Sequence, residues 1–223
     1  MPPYVFPAPE QASLPVSGYD AATGSRYAVL RIFCIGRNYA AHAAEMGSVA
    51  EKDAPFFFTK SPVNLEQSGG VLLYPQGTAD LHHEVELVIA LGPKGAVFGY
   101  AAGLDMTRRD LQNVAKNKRQ PWDAAKDFKG AAIIAAITPA EAAGNILAAA
   151  ITLDVNGTQR QSGMIADMIN GVDELVAHMA GLYALEAGDL IMTGTPSGVG
   201  AVGVGDKLVG RVGGLAPVET TIS

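Results

Sequence analysis

His82-His83-Glu84-Val85-Glu86-Leu87-Val88-Ile89-Ala90-Leu91 is the stretch from which the rest of the chain can be understood. From Val85 onward it is apolar and partly β-branched, as expected of a strand covered on both faces. On a strand, positions i and i+2 share a face, so Glu84 and Glu86 point the same way. Two ionised carboxylates side by side in a core repel each other and are costly to desolvate. A divalent cation removes both penalties. A third acid, Asp105, closes a second apolar stretch, Tyr100-Ala101-Ala102-Gly103-Leu104. Three oxygen donors on neighbouring rigid segments suit Mg²⁺ or Mn²⁺, with positions left for water or substrate. The competing account puts the acids on the wet face of an edge strand. It suffices for a lone Glu-x-Glu and accounts less well for the trio.

The composition fits a folded globular protein: 48% of the 223 residues are hydrophobic and 17% charged. The length allows one large domain, or one domain with a small appendage. A net charge of −6 without a basic stripe argues against a nucleic-acid partner. Lys116, Lys118 and Arg119 do cluster, either beside a site for an anionic small molecule or as a solvated helix end. The single cysteine, Cys34, excludes an intramolecular disulfide and sits in an apolar strand as a buried, inert thiol. The N-terminus lacks the basic-then-apolar pattern of a secretory signal, and no apolar stretch reaches membrane-spanning length. The expectation is a soluble, cytoplasmic protein.

Five of the thirteen prolines fall within the first 15 residues, which predicts an extended surface arm there rather than a packed element. Strand signals follow at 31–35, 55–59, 71–74, 84–91, 97–104, 151–155, 189–193 and 207–212. Asn156-Gly157 predicts a type I′ hairpin turn returning through Thr158. Helices are fewer. Asn38 is placed to cap one over 39–46, stopped by Gly47. Thr107-Arg108-Arg109-Asp110 and Thr138-Pro139-Ala140-Glu141 have the form of capping boxes. Residues 173–185 have helical spacing, with Leu175, Val176, Met179 and Leu182 on the buried face. Strands dominate, so the fold class is α+β and β-rich.

Three further segments carry chemistry. His42 and Glu45 are three apart on the short helix, the spacing at which a carboxylate orients an imidazole for general-base work. Surface helices carry such pairs for no catalytic reason. The preceding Gly36-Arg37-Asn38-Tyr39 offers a turn and a guanidinium facing an anion. Lys126, after the only tryptophan, could stabilise developing negative charge or simply snorkel to the surface. Met192-Thr193-Gly194-Thr195-Pro196-Ser197-Gly198 is a strand running into a Gly-rich loop without the Lys-Ser/Thr ending of a phosphate loop. Its backbone N–H groups and the Thr195 hydroxyl could hold a substrate carboxylate, or the loop could be simple turn chemistry. His82 and His83 adjoin the acids, with second-shell or structural roles the commoner outcome.

Together these segments resemble the fumarylacetoacetate hydrolase family. The resemblance runs through Gly36–His42, Leu81–Leu87, Leu104–Gln112, Pro121–Lys126 and Gly188–Gly200, in the family's order, and is nearest to its short acylpyruvase and fumarylpyruvate hydrolase members. It implies a mixed β-sandwich roll of that family's C-terminal domain type, usually a homodimer. It divides the chain into an N-terminal arm with the first turns at 1–30 and a single catalytic domain at 31–223. It implies Glu84, Glu86 and Asp105 as Mg²⁺ or Mn²⁺ ligands, and His42 with Glu45 as the water-activating pair in a lid segment. Lys126 corresponds to the lysine that polarises substrate, and Gln112 and Thr195 to substrate contacts, with Arg37 available to a polar acyl end. The implied reaction is hydrolysis of the C–C bond of a 2,4-dioxo acid, fumarylpyruvate or another acylpyruvate, to pyruvate and a carboxylic acid. Oxaloacetate decarboxylation and isomerisation of an unsaturated dioxo acid are alternatives on the same site; a metal-stabilised structural dimer is the non-enzymatic one. Lys60-Ser61-Pro62-Val63-Asn64, in place of the family's Lys-Pro wording, and the lack of an aromatic at 167–170 bear on substrate rather than reaction.

Overall fold

The computed structural model describes residues 4–18, 24–45 and 54–223. Among these, the strands form sheets of eight, five, three and two strands. The large sheet runs in the order Phe56–Lys60, Arg31–Gly36, Asp189–Met192, Val85–Leu91, Val97–Asp105, Ala132–Ile134 and Leu65–Gln67, with Thr138–Pro139 also paired to Val97–Asp105. Asp189–Met192 pairs parallel with Arg31–Gly36, and Ala132–Ile134 parallel with Leu65–Gln67; the other pairings of this sheet are antiparallel. This mixed, curled arrangement is the expected β-rich α+β roll.

Val85–Leu91 is buried at every position because it is covered on both faces. Leu87, Ile89 and Leu91 join a core shared with the five-stranded sheet, through Leu153, Val155, Leu208 and Val218. Val88 and Ala90 point the other way, into a second core with Leu14, Ile32, Cys34, Ala101 and Met192. Glu86 has the parity of Val88, so the acids occupy one end of that second face. Glu84 stands in the one-residue break between Leu81–His83 and Val85–Leu91. Glu86 lies opposite Gly103 on the neighbouring strand, where a Cβ would come within 2.6 Å of Val88 Cγ2. Asp105, two residues beyond Gly103, reaches the same face.

Four α-helices are described: α1 (Ala40–Glu45), α2 (Arg109–Lys118), α3 (Asp123–Lys126) and α4 (Val172–Leu182). Several sequence expectations are corrected here. Asn38 joins loops instead of capping α1: its Nδ2 donates to the carbonyls of Asn170 and Thr193, and its Oδ1 accepts from Asn170 N–H at 2.8 Å. The expected end of α1, at Met46 and Gly47, lies outside the described residues. The 107–110 stretch is no capping box. Thr107 Oγ1 accepts from Lys126, and Asp110 accepts from Thr78 and the backbone of Ala79 and Leu111. The second expected box opens only the 3-10 turn Ala140–Ala142. On α4, Leu175 and Met179 are buried but Leu182 is 55% exposed at the frayed end. The leading segment also packs more than its prolines suggest. Tyr4, Val5 and Phe6 are exposed, yet Ser13–Pro15 pairs with Arg26–Ala28 and Leu14 is fully buried. The hairpin at Asn156-Gly157 forms as expected, both residues at positive φ. Cys34 lies buried in the middle of its strand, and burial pushes its thiol well up. No helix is long and apolar enough to cross a membrane.

Candidate metal centre and active site

Glu84, Glu86 and Asp105 each offer a carboxylate oxygen, and these atoms lie within 4.8 Å of one another. All three residues are at least 95% buried. They differ sharply in what surrounds them. Burial opposes the ionisation of Glu84, but the Lys126 ammonium and the Arg109 guanidinium outweigh it and hold its carboxyl well below the usual range. Lys126 Nζ donates to Glu84 Oε2 and Asp105 Oδ2, each at 2.8 Å, and to Thr107 Oγ1 at 2.6 Å. Arg109 donates to Glu84 Oε1 and to Gln112 Oε1. Among the described residues, Glu86 has only the Gly194 N–H as hydrogen-bond partner, at 2.8 Å. Burial and the charges of Asp105 and Glu84 push its carboxyl well above the usual range.

Asp105 shows the same deficit in its hydrogen bonding. Lys60 Nζ approaches Oδ1 to 2.8 Å, yet the ammonium directs its hydrogen bonds to the carbonyls of Met106 and Lys126. Oδ1 is buried with no directed hydrogen bond of its own. A carboxyl that resists ionisation and a buried orphan oxygen, both facing one point, are the groups a hard divalent cation satisfies. The donor set, three carboxylates and no sulfur or imidazole, fits Mg²⁺ or Mn²⁺.

The cavity over the triad, about 30 Å³, is large enough to admit water. Its lining includes the triad together with Arg37, His42, Gln112, Lys126 and Thr195, so these expected site residues come together. Glu45 stands beside His42, with Oε2 3.4 Å from Nδ1, and His42 lines the cavity. Glu45 also accepts the Gly198 N–H at 3.1 and 3.2 Å. The Gly-rich loop thus works differently from the expectation: its Gly194 and Gly198 N–H groups serve protein carboxylates. Both glycines sit at positive φ, and a Cβ on Gly198 would fall 2.0 Å from Arg160 O. Lys126 is no snorkelling lysine but 98% buried. Arg37 holds φ of 60°, a strained backbone for a side chain of its size, and projects from the end of its strand.

Three contributors escaped sequence reasoning. Arg109 sits inside the misread capping box; Lys60 ends the aromatic strand Phe56–Lys60, a cation closing an apolar run, which was the available signal there. Gln161, from Thr158–Met164, had none. It is fully buried, accepts from Val85 N–H, lies 3.0 Å from His83 Nδ1, and donates to Thr195 Oγ1 at 2.7 Å and Pro196 O at 2.8 Å. His83 is accordingly structural, and burial pushes its imidazole down. His82 pairs with Asp80 at 2.8 Å.

The family model for the fumarylacetoacetate hydrolase C-terminal domain matches residues 31–223. The chain belongs to the fumarylacetoacetate hydrolase family. It is 44% identical over 189 residues to a fumarylpyruvate hydrolase of a Ralstonia species, covering 79% of this chain and 98% of that one. It is 38% identical over 193 residues to an oxaloacetate tautomerase of Escherichia coli K12, covering 82% and 88%. The crystal structure of fumarylpyruvate hydrolase from Pseudomonas aeruginosa, in complex with Mn²⁺ and pyruvate, superposes with a TM-score of 0.92 at 38% identity, covering 99% of each chain. The chain is therefore that of a metal-dependent enzyme of this family.

Proposed function

We propose that the protein is a hydrolase cleaving the C–C bond of a 2,4-dioxo acid, fumarylpyruvate or another acylpyruvate, to pyruvate and a carboxylic acid. The observation that carries this reading is His42, in contact with Glu45, lining the same small cavity as the acid triad. Hydrolysis needs a base for water, and His42 Nε2 is in position to take the proton while Glu45 holds Nδ1. Water then bonds to the distal ketone carbon, the C–C bond breaks, and its electron pair leaves with the pyruvate half, whose C3 takes back the proton held by His42 to give pyruvate. Mg²⁺ or Mn²⁺, held by Glu84, Glu86 and Asp105, would supply electrophilic assistance to the 2-oxo acid. The three donors of Lys126 are already engaged, so Lys126 acts on developing negative charge chiefly through its buried field. Gln112 and Thr195 contact the 2-oxo acid end, and Arg37 is available to a polar acyl end. A homodimer in the cytoplasm, with its catalytic domain at 31–223, completes the reading.

The tautomerase relative favours a second reading, since a base beside a 2-oxo acid can also move a proton between C3 and the enol oxygen. Oxaloacetate decarboxylation and isomerisation of an unsaturated dioxo acid use the same centre. Pyruvate release measured with fumarylpyruvate, acetylpyruvate and oxaloacetate ranks these reactions, and enol absorbance without pyruvate marks the tautomerase. The double variant His42→Ala/Glu45→Gln should lose about 10²- to 10⁴-fold in kcat while calorimetric Mn²⁺ affinity holds. Unchanged turnover in that variant rules out the base assignment.

A further inference from the structure

Beside the metal cavity lies a groove of about 760 Å³ that the proposed reaction does not use. Arg37, Phe58, Lys116 and Trp122 line both spaces, so the groove is a direct continuation of the site. One wall is aromatic and continuous: Trp122 meets Phe56 edge-on at 5.0 Å and Phe58 at 5.8 Å. The rim is cationic, with Arg37, Lys116 and Arg119 against a single acid, Asp123. Among the described residues, none of these three cations lies within ion-pair distance of a carboxylate. Lys116 is half-buried, with its ammonium 5.4 Å over the Trp122 ring. Burial, with Arg109 and Arg37 close by, pushes it below the usual lysine range. An anion in the groove would relieve that surplus.

We infer that this groove is the subsite for the far end of the substrate, and that it takes a flat, conjugated acyl chain ending in a carboxylate. The chain lies along Trp122 and Phe58, and the terminal carboxylate meets Lys116 with Arg119 and Arg37 at the rim. Lys116 is the specificity-determining residue: it separates dicarboxylic acylpyruvates from short neutral ones such as acetylpyruvate. This assignment rests on the C–C hydrolase reading, but one arm of its test does not.

Trp122 is the only tryptophan in the chain, so its fluorescence reports the one wall that the groove shares with the metal cavity. Fumarate and crotonate share a four-carbon unsaturated chain and differ in the terminal carboxylate. Titrated into Mg²⁺-loaded protein, fumarate should change the Trp122 emission saturably, with crotonate binding at least tenfold more weakly. Lys116→Gln should abolish that difference. In turnover, Lys116→Gln should lower the ratio of kcat/KM for fumarylpyruvate over acetylpyruvate about 10- to 100-fold. Equal binding of fumarate and crotonate, or an unchanged ratio in Lys116→Gln, overturns the subsite. Absence of pyruvate from either substrate in the unmodified protein, with fumarate still preferred over crotonate, instead sinks the hydrolase reading and leaves the subsite standing.

Discussion

On one side of the cavity, Glu84, Glu86, Asp105 and Lys126 are buried on the sheet and on α3, with Lys126 paired to Glu84 and Asp105 at 2.8 Å. On the other side, Arg37, His42 and Glu45 ride on a six-residue helix and the turn before it, with Arg37 and Glu45 exposed. A helix of that length has little stability of its own. Two ties set its place: Asn38 to Asn170 and Thr193, and Glu45 to Gly198 N–H. The contrast separates two tasks. In the proposed reaction the sheet wall would fix where a cation and substrate sit, and the helix wall would bring the proton acceptor to them.

The largest effect should come from breaking the sheet wall. Glu86→Gln and Asp105→Asn should each lower activity on the order of 10³-fold and abolish calorimetric Mg²⁺ binding. Stability should move the other way for Glu86→Gln. Without metal, removing a buried, poorly compensated carboxyl should hold or raise Tm, while the Tm gain on adding Mg²⁺ disappears. If that variant kept its Mg²⁺-dependent gain in Tm, the centre would lie elsewhere.

A middle-sized effect should come from the link between the walls. Gln161 donates to Thr195 Oγ1, which leaves the hydroxyl hydrogen of Thr195 free to point into the cavity. Gln161→Leu strips Val85 N–H of its buried acceptor and should cost about 1–3 kcal/mol in urea denaturation. It should also raise KM several-fold, as should Thr195→Val; a stability loss with KM unmoved would reduce Gln161 to a packing residue.

Much of the sheet wall was legible in the sequence because strand parity is a local rule. The alternation 84, 86, 88, 90 on one face and 85, 87, 89, 91 on the other survives into the two cores. The contact between His42 and Glu45, the proposed base pair, was legible as an i,i+3 spacing. What could not be read were contacts fixed by long-range pairing. Gln161 meets Val85 76 residues away, and Lys60 meets Asp105 only because Phe56–Lys60 pairs with Arg31–Gly36. Capping signals misled for a related reason. Thr107 and Asn38 have the residue types of caps, but tertiary partners, Lys126 and Asn170, took their hydrogen bonds.

The smallest effect should appear at Asp127, which secures the loop between Lys60 and Lys126. It accepts from Ser61 N–H at 2.9 Å and from Asn64 at 2.7 Å. Burial opposes its ionisation, but the hydrogen bonds from Ser61 and Asn64 outweigh it and hold its carboxyl below the usual aspartate value. A depressed folded value means that the stabilisation is complete above the unfolded pKa of 3.8 and fades as pH falls through the folded one. Asp127→Asn should therefore lower Tm slightly at neutral pH and flatten its fall below about pH 4. An acid limb identical to that of the unmodified protein would show that the loop is held by other contacts.

Cys34 gives the molecule a clock. Its strand is flanked by Phe56–Lys60 and Asp189–Met192, and it is the chain's only thiol. Thiol reagents attack the thiolate, so a buried, poorly acidic sulfur reacts only while a flanking strand has peeled away. The rate of labelling then counts those excursions one molecule at a time. Its slowing under saturating Mg²⁺ measures how far a cation at the acid end of the sheet reaches along the strands to restrain the edge.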